Sequence, residues 1–374
     1  MRRLWQDGAP LRRVGCAVLV LTFTSFGALT ACLPPALPRV IKIGLVAPFE
    51  GRYRYIGYDA IYAARLAVRE INAAGGVAGW ALELAAYDDR ADPEMARAAA
   101  RNLATDPDVV AVIGHYREAS TAAAAKVYAE AEMPLLVVGV WLTPTHAPVW
   151  SMVPPPQQIA EAMLEAGGIL LPTSSPAGEG KRGEVWGAGP LAVALKDALH
   201  TRDYRDEPET AAFPEAVFSV LSPVETASRL VAQRAAGWNG TLVGGLELAA
   251  AEFEAVAGMA SEGTFFVTPY RLPQDIPDLE EWCAAYRAVG PHVPDPGIYA
   301  RPTYEAVYAL ADAIGAAVEA KGQPSRSGVQ AALPNVHRSG AWGTVAWDAA
   351  GYWREMPLYV YVWKQGRAEL VDGR

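Results

Sequence analysis

Cysteine is scarce in this chain, with three residues among 374. Cys16 lies inside an N-terminal apolar run and Cys32 lies three residues beyond its end, so we expect neither to belong to the folded domains. Cys283 then stands alone, which excludes an internal disulfide framework and a cysteine-rich metal site. Stability must therefore come from packing, for which 52% hydrophobic residues are sufficient.

A hydrophobic run long enough to cross a membrane is also lacking at the N-terminus. The apolar run at residues 14–29 carries no charge, but it is shorter than the roughly 20 residues that span a bilayer. It follows a segment that contains four arginines, which is typical of a secretory signal peptide.

The apolar run ends in Leu29-Thr30-Ala31-Cys32. This motif resembles the bacterial lipobox, whose cysteine receives diacylglycerol before cleavage. We therefore expect a lipoprotein signal peptide at residues 1–31, lipidation of Cys32 and a short linker at 32–39. The alternative is a plain signal peptide, or a short anchor, with an incidental cysteine. Either signal implies an extracytoplasmic protein, and lipidation would hold it in the cell envelope, in the periplasm or on the outer face of the cell membrane.

Basic charge is low, with 32 Lys and Arg against 41 Asp and Glu and a formal net charge of −9. Residues 1–31 carry four arginines and one aspartate, a net charge of +3, so the mature chain would have −9 − 3 = −12. Nucleic-acid binding depends on neutralising phosphates with Lys and Arg. The charge therefore excludes nucleic acid as an expected partner.

Enzyme and cofactor motifs are missing as well. The sequence has no G-x-S-x-G and no H-E-x-x-H, the first strand–turn carries Gly44 but no G-x-G-x-x-G, and the five histidines show no paired metal spacing. Residues 178–182 resemble a P-loop only superficially, because the leading glycine is absent and Arg182 replaces the Ser or Thr that holds magnesium. We therefore expect no cofactor, no metal and no catalytic residue.

Short apolar runs of strand length alternate with segments of helical periodicity. Continuous apolar strands separated by helices predict a parallel sheet covered on both faces, so the fold class is α/β. Asp92 is predicted as the N-cap of a helix that begins at Pro93. Strands are predicted at residues 40–46, 82–87, 109–113, 135–140, 169–171, 216–221, 241–244, 264–267, 343–347 and 358–363. The other helices are predicted at 61–73, 120–131, 157–166, 186–199, 224–236, 249–259, 280–289, 303–320 and 328–333.

Four sequence elements occur in order over about 75 residues and carry a family resemblance. They are Ile41-Lys42-Ile43-Gly44, then residues 70–77 (EINAAGGV), then Tyr87-Asp88-Asp89 with Asp92-Pro93, then Val112-Ile113-Gly114-His115. Together they resemble the leucine/isoleucine/valine-binding family of periplasmic binding proteins, type I. This resemblance implies two Rossmann-like lobes with parallel sheets joined by three hinge crossings, a small-molecule solute in the cleft, and an ABC permease as the partner of a monomer.

The lobe boundaries follow from the same resemblance and from two proline-rich interruptions. Proline clusters lie at residues 154–156 and 269–277. We expect the first lobe to contain residues 40–152 and 272–336, and the second to contain 153–271 and 337–374. Between Gly168 and Pro214 one strand–helix unit is expected to be shortened or missing.

The resemblance also implies a solute site. The two positions at which the family binds the ligand carboxylate through hydroxyl groups fall on Glu118 and Leu142, neither of which can donate such a bond. Glu247 falls at the position of the acid that binds the ligand ammonium. The predicted ligand-binding residues are Glu118, Ala119, Ser120, Val140, Leu142, Glu247, Tyr55 and Tyr299.

Two acids in the cleft and the loss of the hydroxyl pair predict a solute with an amine, an amide or another cationic group, because opposite charges attract strongly where the dielectric is reduced. Glu118 could instead be a solvated residue at a helix N-terminus, Glu247 a surface residue and Tyr299 a core aromatic.

The expected function is delivery of the solute to an ABC importer. A sensor that reports the solute to a membrane receptor is the alternative, and acid/base catalysis by Glu118 and Glu247 is a third, weaker one.

Overall fold

Two sheets organise the part of the chain that the structure describes. The computed structural model describes residues 39–140, 149–168, 183–202, 213–276, 279–340 and 343–373, with side chains as far as residue 371. Within it, Val40–Arg374 forms one compact unit. The predicted signal peptide, Cys32, most of the linker, Leu142 and the predicted strand at 169–171 lie outside the described residues.

The first sheet is built from alternating strands and helices. Its strands are ordered 2-1-3-4-5, and the first pairs with the third, the third with the fourth and the fourth with the fifth, all in parallel. This order is that of a doubly wound sheet, as the alternating pattern predicts. The elements are β1 (Arg39–Ala47), α1 (Arg54–Ala73), β2 (Trp80–Asp88), α2 (Pro93–Thr105), β3 (Val109–Gly114), α3 (Glu118–Glu130), β4 (Leu135–Val137) and β5 (Val149–Ser151).

The chain then crosses into a second sheet with its own strand–helix alternation. Its four parallel strands are neighbours in reverse chain order, and a short 3₁₀ helix (Leu246–Ala249) follows the third of them. The elements are α4 (Pro156–Ala166), β6 (Gly183–Trp186), α5 (Pro190–Thr201), β7 (Ala216–Ser219), α6 (Pro223–Ala235), β8 (Thr241–Gly244), α7 (Ala251–Ala257) and β9 (Phe265–Thr268).

The chain returns to the first lobe and ends in the second. Helices α8 (Leu279–Arg287), α9 (Ala300–Lys321) and α10 (Arg326–Ala332) are followed by an antiparallel hairpin of β10 (Arg338–Gly340) and β11 (Gly343–Val345). The last strands, β12 (Tyr359–Lys364) and β13 (Arg367–Gly373), join the second sheet antiparallel to β9 and to each other. The predicted two-lobed α/β fold is confirmed, with an antiparallel edge on the second sheet.

Separate hydrophobic clusters cover the two faces of each sheet, which explains why the strands are apolar throughout. One cluster joins α1, α9 and one face of the first sheet, and another joins α2, α3 and the opposite face. The second sheet has two clusters of its own. None of the described helices has both the length and the hydrophobicity that a membrane crossing requires.

Core packing favours a later third crossing than residue 337. Val345, Trp347 and Trp353 pack with the core of the first lobe, and the indole N–H of Trp347 donates 2.9 Å to the carbonyl of Ser151. The second sheet resumes only at Tyr359. The hairpin β10–β11 and the segment after it therefore pack with the first lobe, because three large apolar side chains are buried there.

Two local predictions had different outcomes. Asp92 is the N-cap of α2, and its side chain accepts 2.9 Å hydrogen bonds from the backbone N–H groups of Glu94 and Met95. The helix predicted at 186–199 was wrong at its start, because Trp186 ends strand β6 and α5 begins only at Pro190. The interval expected to be shortened thus contains both a strand and a helix, and among the described residues the second sheet has six strands and the first has five.

Candidate functional site

A cavity lies where the carboxyl ends of strands from both sheets meet. It has a volume of about 90 Å³. Its walls come from the segments that follow β3 and β4 in the first lobe and β6, β7 and β8 in the second, together with the first turn of α5. Parallel α/β sheets bind ligands beyond the carboxyl ends of their strands. The lining residues are Arg117, Glu118, Gly139, Val140, Ala188, Leu191, Ser219, Val220, Gly245, Leu246 and Glu247.

Glu118 is the first residue of α3 and reaches across to the second lobe. Its carboxylate lies against Gly189, the N-cap of α5, closely enough to leave no room for a Cβ atom there. Gly189 has φ 108°, a conformation that favours glycine for a second, independent reason. The positive ends of two helix dipoles are thus near this carboxylate. Among the described residues Glu118 has no hydrogen-bond or ion-pair partner.

Glu247 lies in the 3₁₀ helix after β8 and faces three donors from the first lobe. Its carboxylate forms an ion pair with the guanidinium of Arg117. It also accepts longer bonds from the hydroxyls of Tyr55 (3.5 Å) and Tyr299 (3.4 Å). The side chains of Arg117 and Glu247 are only 23% and 21% exposed, so the pair is partly shielded from solvent. These contacts join the two lobes across the cleft.

The tyrosines around this ion pair are held in place by the first lobe. Tyr299 is fully buried, its backbone N–H donates 3.1 Å to Asp59, and its ring packs against Gly139. The rings of Tyr55 and Tyr299 lie 6.4 Å apart. The guanidinium of Arg117 lies 4.4 Å from the ring centre of Tyr53, which is a cation–π contact.

Burial and charge shift several pKa values here. Partial desolvation raises the pKa of Glu118, and the nearby Arg117 opposes this shift. Burial acts to lower the pKa of Arg117, but the charge of Glu247 and the surrounding tyrosines more than offset it, so the net shift is upward. Burial and then the charge of Glu247 raise the pKa of Tyr55 and of Tyr299, so both hydroxyls remain protonated. The site thus has one compensated charge pair and one separate acid.

The residues predicted from sequence are only partly brought together. Glu118, Val140 and Glu247 line the cavity, and Tyr55 and Tyr299 contact it through Glu247. Ala119 instead faces a surface groove between α2 and α3. Ser120 is fully buried, and its Oγ has no partner among the described residues.

Sequence reasoning missed Arg117 as a site residue. The cavity wall formed by Ala188, Leu191 and Ser219 was not predicted either, because strand β6 was not predicted. A signal for Arg117 was present, since a cation at a helix N-terminus is opposed by the helix dipole and needs an acid from elsewhere.

His115 has a structural environment. Its Nδ1 lies 2.6 Å from an oxygen of Asp89, its Nε2 lies 3.2 Å from the hydroxyl of Tyr128, and both His115 and Asp89 are fully buried. The imidazole is therefore held inside the first lobe and does not line the cavity. No group of acidic, histidine or cysteine side chains among the described residues is arranged to hold a metal ion.

Two α/β lobes that contact each other over a small cavity at their strand ends define a solute-binding protein. The model of the family described as periplasmic binding protein matches residues 40–167 and 210–368. The chain belongs to this family, which consists of solute-binding proteins and not of enzymes. The resemblance found in the four sequence elements is thereby confirmed.

Several known proteins that are similar to this chain have names that describe the binding of branched-chain amino acids. A leucine-, isoleucine-, valine-, threonine- and alanine-binding protein of Pseudomonas aeruginosa is 28% identical, with an alignment that covers 86% of this chain and 90% of the relative. A leucine-binding protein of Thermotoga maritima superposes with a TM-score of 0.72 at 21% identity, over 89% of this chain and 98% of that one. A branched-chain amino acid transporter substrate-binding protein of Streptococcus pneumoniae, solved with isoleucine, gives 0.69 at 20% identity, over 89% and 99%.

Proposed function

We propose that this chain is a monomeric, lipid-anchored, extracytoplasmic protein that binds a small amine- or amide-bearing solute and delivers it to an ABC importer. The observation that carries the proposal is the cavity at the strand ends of both lobes, with Glu118 facing it. An importer needs a protein that holds a solute between two bodies and releases it when they separate. Family membership and the substrate-binding proteins to which the chain is similar support the same role.

The lipid anchor is proposed from the sequence alone. Cys32 follows an uncharged apolar run and the residues Leu29-Thr30-Ala31, and a proline-rich segment separates it from β1. Metabolic labelling with a palmitate analogue tests this: the full chain should incorporate label in a bacterial host, and Cys32→Ser should not. Equal labelling of the two proteins would show that Cys32 is not the acceptor.

Solute recognition is proposed to depend on the ionised carboxylate of Glu118. A hydrogen bond to a charged group contributes about 1.5–3 kcal/mol, so Glu118→Gln should weaken binding by about ten- to a hundred-fold. Isothermal titration with small amides and amines measures the change. Glu130→Gln, an exposed acid at the other end of α3, is the matched control and should bind as the unmodified protein does.

Transport is tested by uptake of the labelled solute in cells with and without the gene. Loss of uptake, restored by the intact gene and not by Glu118→Gln, supports delivery to an importer. Normal uptake combined with loss of a solute-dependent membrane response would favour the sensing role and contradict delivery.

A further inference from the structure

The carboxylate of Glu247 already has its partners within the protein. Oε1 accepts from Arg117 Nη1 and from the Tyr299 hydroxyl, and Oε2 accepts from the Tyr55 hydroxyl. An ammonium group of a bound solute would have to displace the guanidinium from this carboxylate. The position at which a cation could bind to Glu247 is therefore occupied by the chain itself.

Arg117 is held at that position by more than the ion pair. Its guanidinium also stacks on Tyr53, which is 9% exposed. Arg117 is the N-cap of α3, where the helix dipole disfavours a cation. The contacts with Glu247 and Tyr53, and not the helix, keep it in place.

We infer that Arg117 is a specificity-determining residue: it occupies the cation position at Glu247, so the solute recognised at Glu118 carries an N–H donor head, uncharged or singly cationic, and no carboxylate. This inference rests on the proposed function and narrows its solute class. It excludes zwitterionic α-amino acids, although the names of several similar proteins describe amino-acid binding.

The charges in the cavity support this class. Arg117 contributes one positive charge and Glu118 and Glu247 two negative charges, so the charged groups among its described lining residues sum to −1. A solute carboxylate would enter a site whose net charge is also negative, and would be repelled. An N–H donor can bind Glu118, and a carbonyl oxygen beside it can accept from the guanidinium, which has five N–H groups and uses one for Glu247. A primary amide matches both.

The volume limits the size of the enclosed head. An apolar cavity of about 150 Å³ holds benzene, and this cavity has about 90 Å³. It therefore favours a head with no more heavy atoms than benzene. The test solutes should be of this size, so that charge and not bulk decides the outcome.

The test compares the intact protein with Arg117→Ala in isothermal titrations against propionamide, propylammonium, L-alanine and propionate. The intact protein should bind propionamide or propylammonium at least ten-fold more tightly than L-alanine and propionate. Arg117→Ala removes the ion-pair partner of Glu247. The affinity of this variant for propylammonium and for L-alanine should therefore be at least ten-fold higher than that of the intact protein. Arg117→Gln repeats the test with a longer side chain, in case alanine loosens the fold.

Arg52→Ala is the matched control. Arg52 also stacks on Tyr53, at 4.7 Å, but it does not line the cavity, so its removal should leave the preferences of the intact protein unchanged. Tight L-alanine binding by the intact protein, undiminished in Arg117→Ala, would overturn the inference and leave the proposed function standing. Absence of binding by every variant would overturn the inference, and together with normal uptake in cells that lack the gene it would overturn the proposed function too.

Discussion

Asp59 of α1 accepts hydrogen bonds from the backbone N–H groups of Gly297 (3.0 Å) and Tyr299 (3.1 Å). These bonds fix the residues at which α9 begins, and Tyr299 in turn donates to Glu247. A buried carboxylate of the first lobe therefore positions a hydroxyl that faces an acid of the second lobe.

Asp59 should make stability depend on pH. Burial raises the pKa of Asp59 from 3.8 to about 7, against the two N–H bonds, which lower it. The folded state then binds this proton more tightly than the unfolded state. The contribution of Asp59 is fully present below about pH 4 and is lost as pH rises through about 7. The loss has an upper limit of about 4 kcal/mol.

Urea unfolding of the intact protein and of Asp59→Asn between pH 4 and 7.5 measures this contribution. As pH rises, the unfolding free energy of the intact protein should fall relative to that of Asp59→Asn. Asp197→Asn, an exposed acid on α5, is the control and should run parallel to the intact protein. A pH-independent difference for Asp59→Asn would contradict the assignment.

Solute affinity should also depend on pH, through Glu118. Because partial desolvation raises the pKa of this carboxyl, it takes up a proton at a higher pH than an ordinary glutamate does. The protonated form cannot accept an N–H bond at both oxygens, so affinity for an uncharged amide should fall as pH is lowered through this pKa. Titrations with propionamide from pH 7.5 to 4 should show the fall in the intact protein and a flat profile in Glu118→Gln.

Gly189→Ala should weaken solute binding. A Cβ atom at Gly189 would meet the carboxylate of Glu118, and the backbone at φ 108° and ψ −179°, a region that essentially only glycine adopts, adds a cost of about 1–3 kcal/mol. Gly237→Ala is the matched control, because Gly237 has φ 94° and no atom near the added Cβ. Both variants should unfold at lower temperature than the intact protein, and only Gly189→Ala should lose affinity. Equal affinity in the two variants would show that Glu118 can move away from α5 without loss.

Removal of the Asp92 cap should destabilise the first lobe. Asp92→Ala leaves two backbone N–H groups of α2 without their acceptor, which lowers stability by about 1 kcal/mol. Asp92→Asn keeps an acceptor and should recover most of the loss. Chemical unfolding followed by circular dichroism distinguishes the two, and an alanine variant as stable as the intact protein would contradict the role of the cap.

The sequence predicted the first lobe better than the second, for physical reasons. Strands such as β3 are buried on both faces and read as unbroken apolar runs. The four residues of β6 include Glu184, and only Gly187-Ala188-Gly189 separates them from α5 at Pro190. Such a short run does not differ in periodicity from the first turn of a helix, so the sequence predicts Trp186 as the start of a helix and no strand before it.

Only those features of the site that depend on local sequence motifs could be predicted. Glu118 and Glu247 were found because each follows a strand that the family motifs locate. The ion pair of Arg117 with Glu247 joins residues 130 positions apart, and one sequence without its fold gives no means of pairing them. The sequence predicted that both Glu118 and Glu247 could bind a cationic solute. In the structure Arg117 neutralises Glu247, so only Glu118 is left for the solute.

Leu246 belongs to the second lobe, yet it packs with the hydrophobic core of the first and is 6% exposed. Separation of the lobes has to transfer this side chain to water, at a cost of about 1.5–3 kcal/mol. That cost alone reduces the fraction of open molecules by about one to two orders of magnitude. The association rate of a solute then depends on the small population of open molecules. Substitution of Leu246 by a smaller residue should raise the association rate, and it should raise the dissociation rate as well.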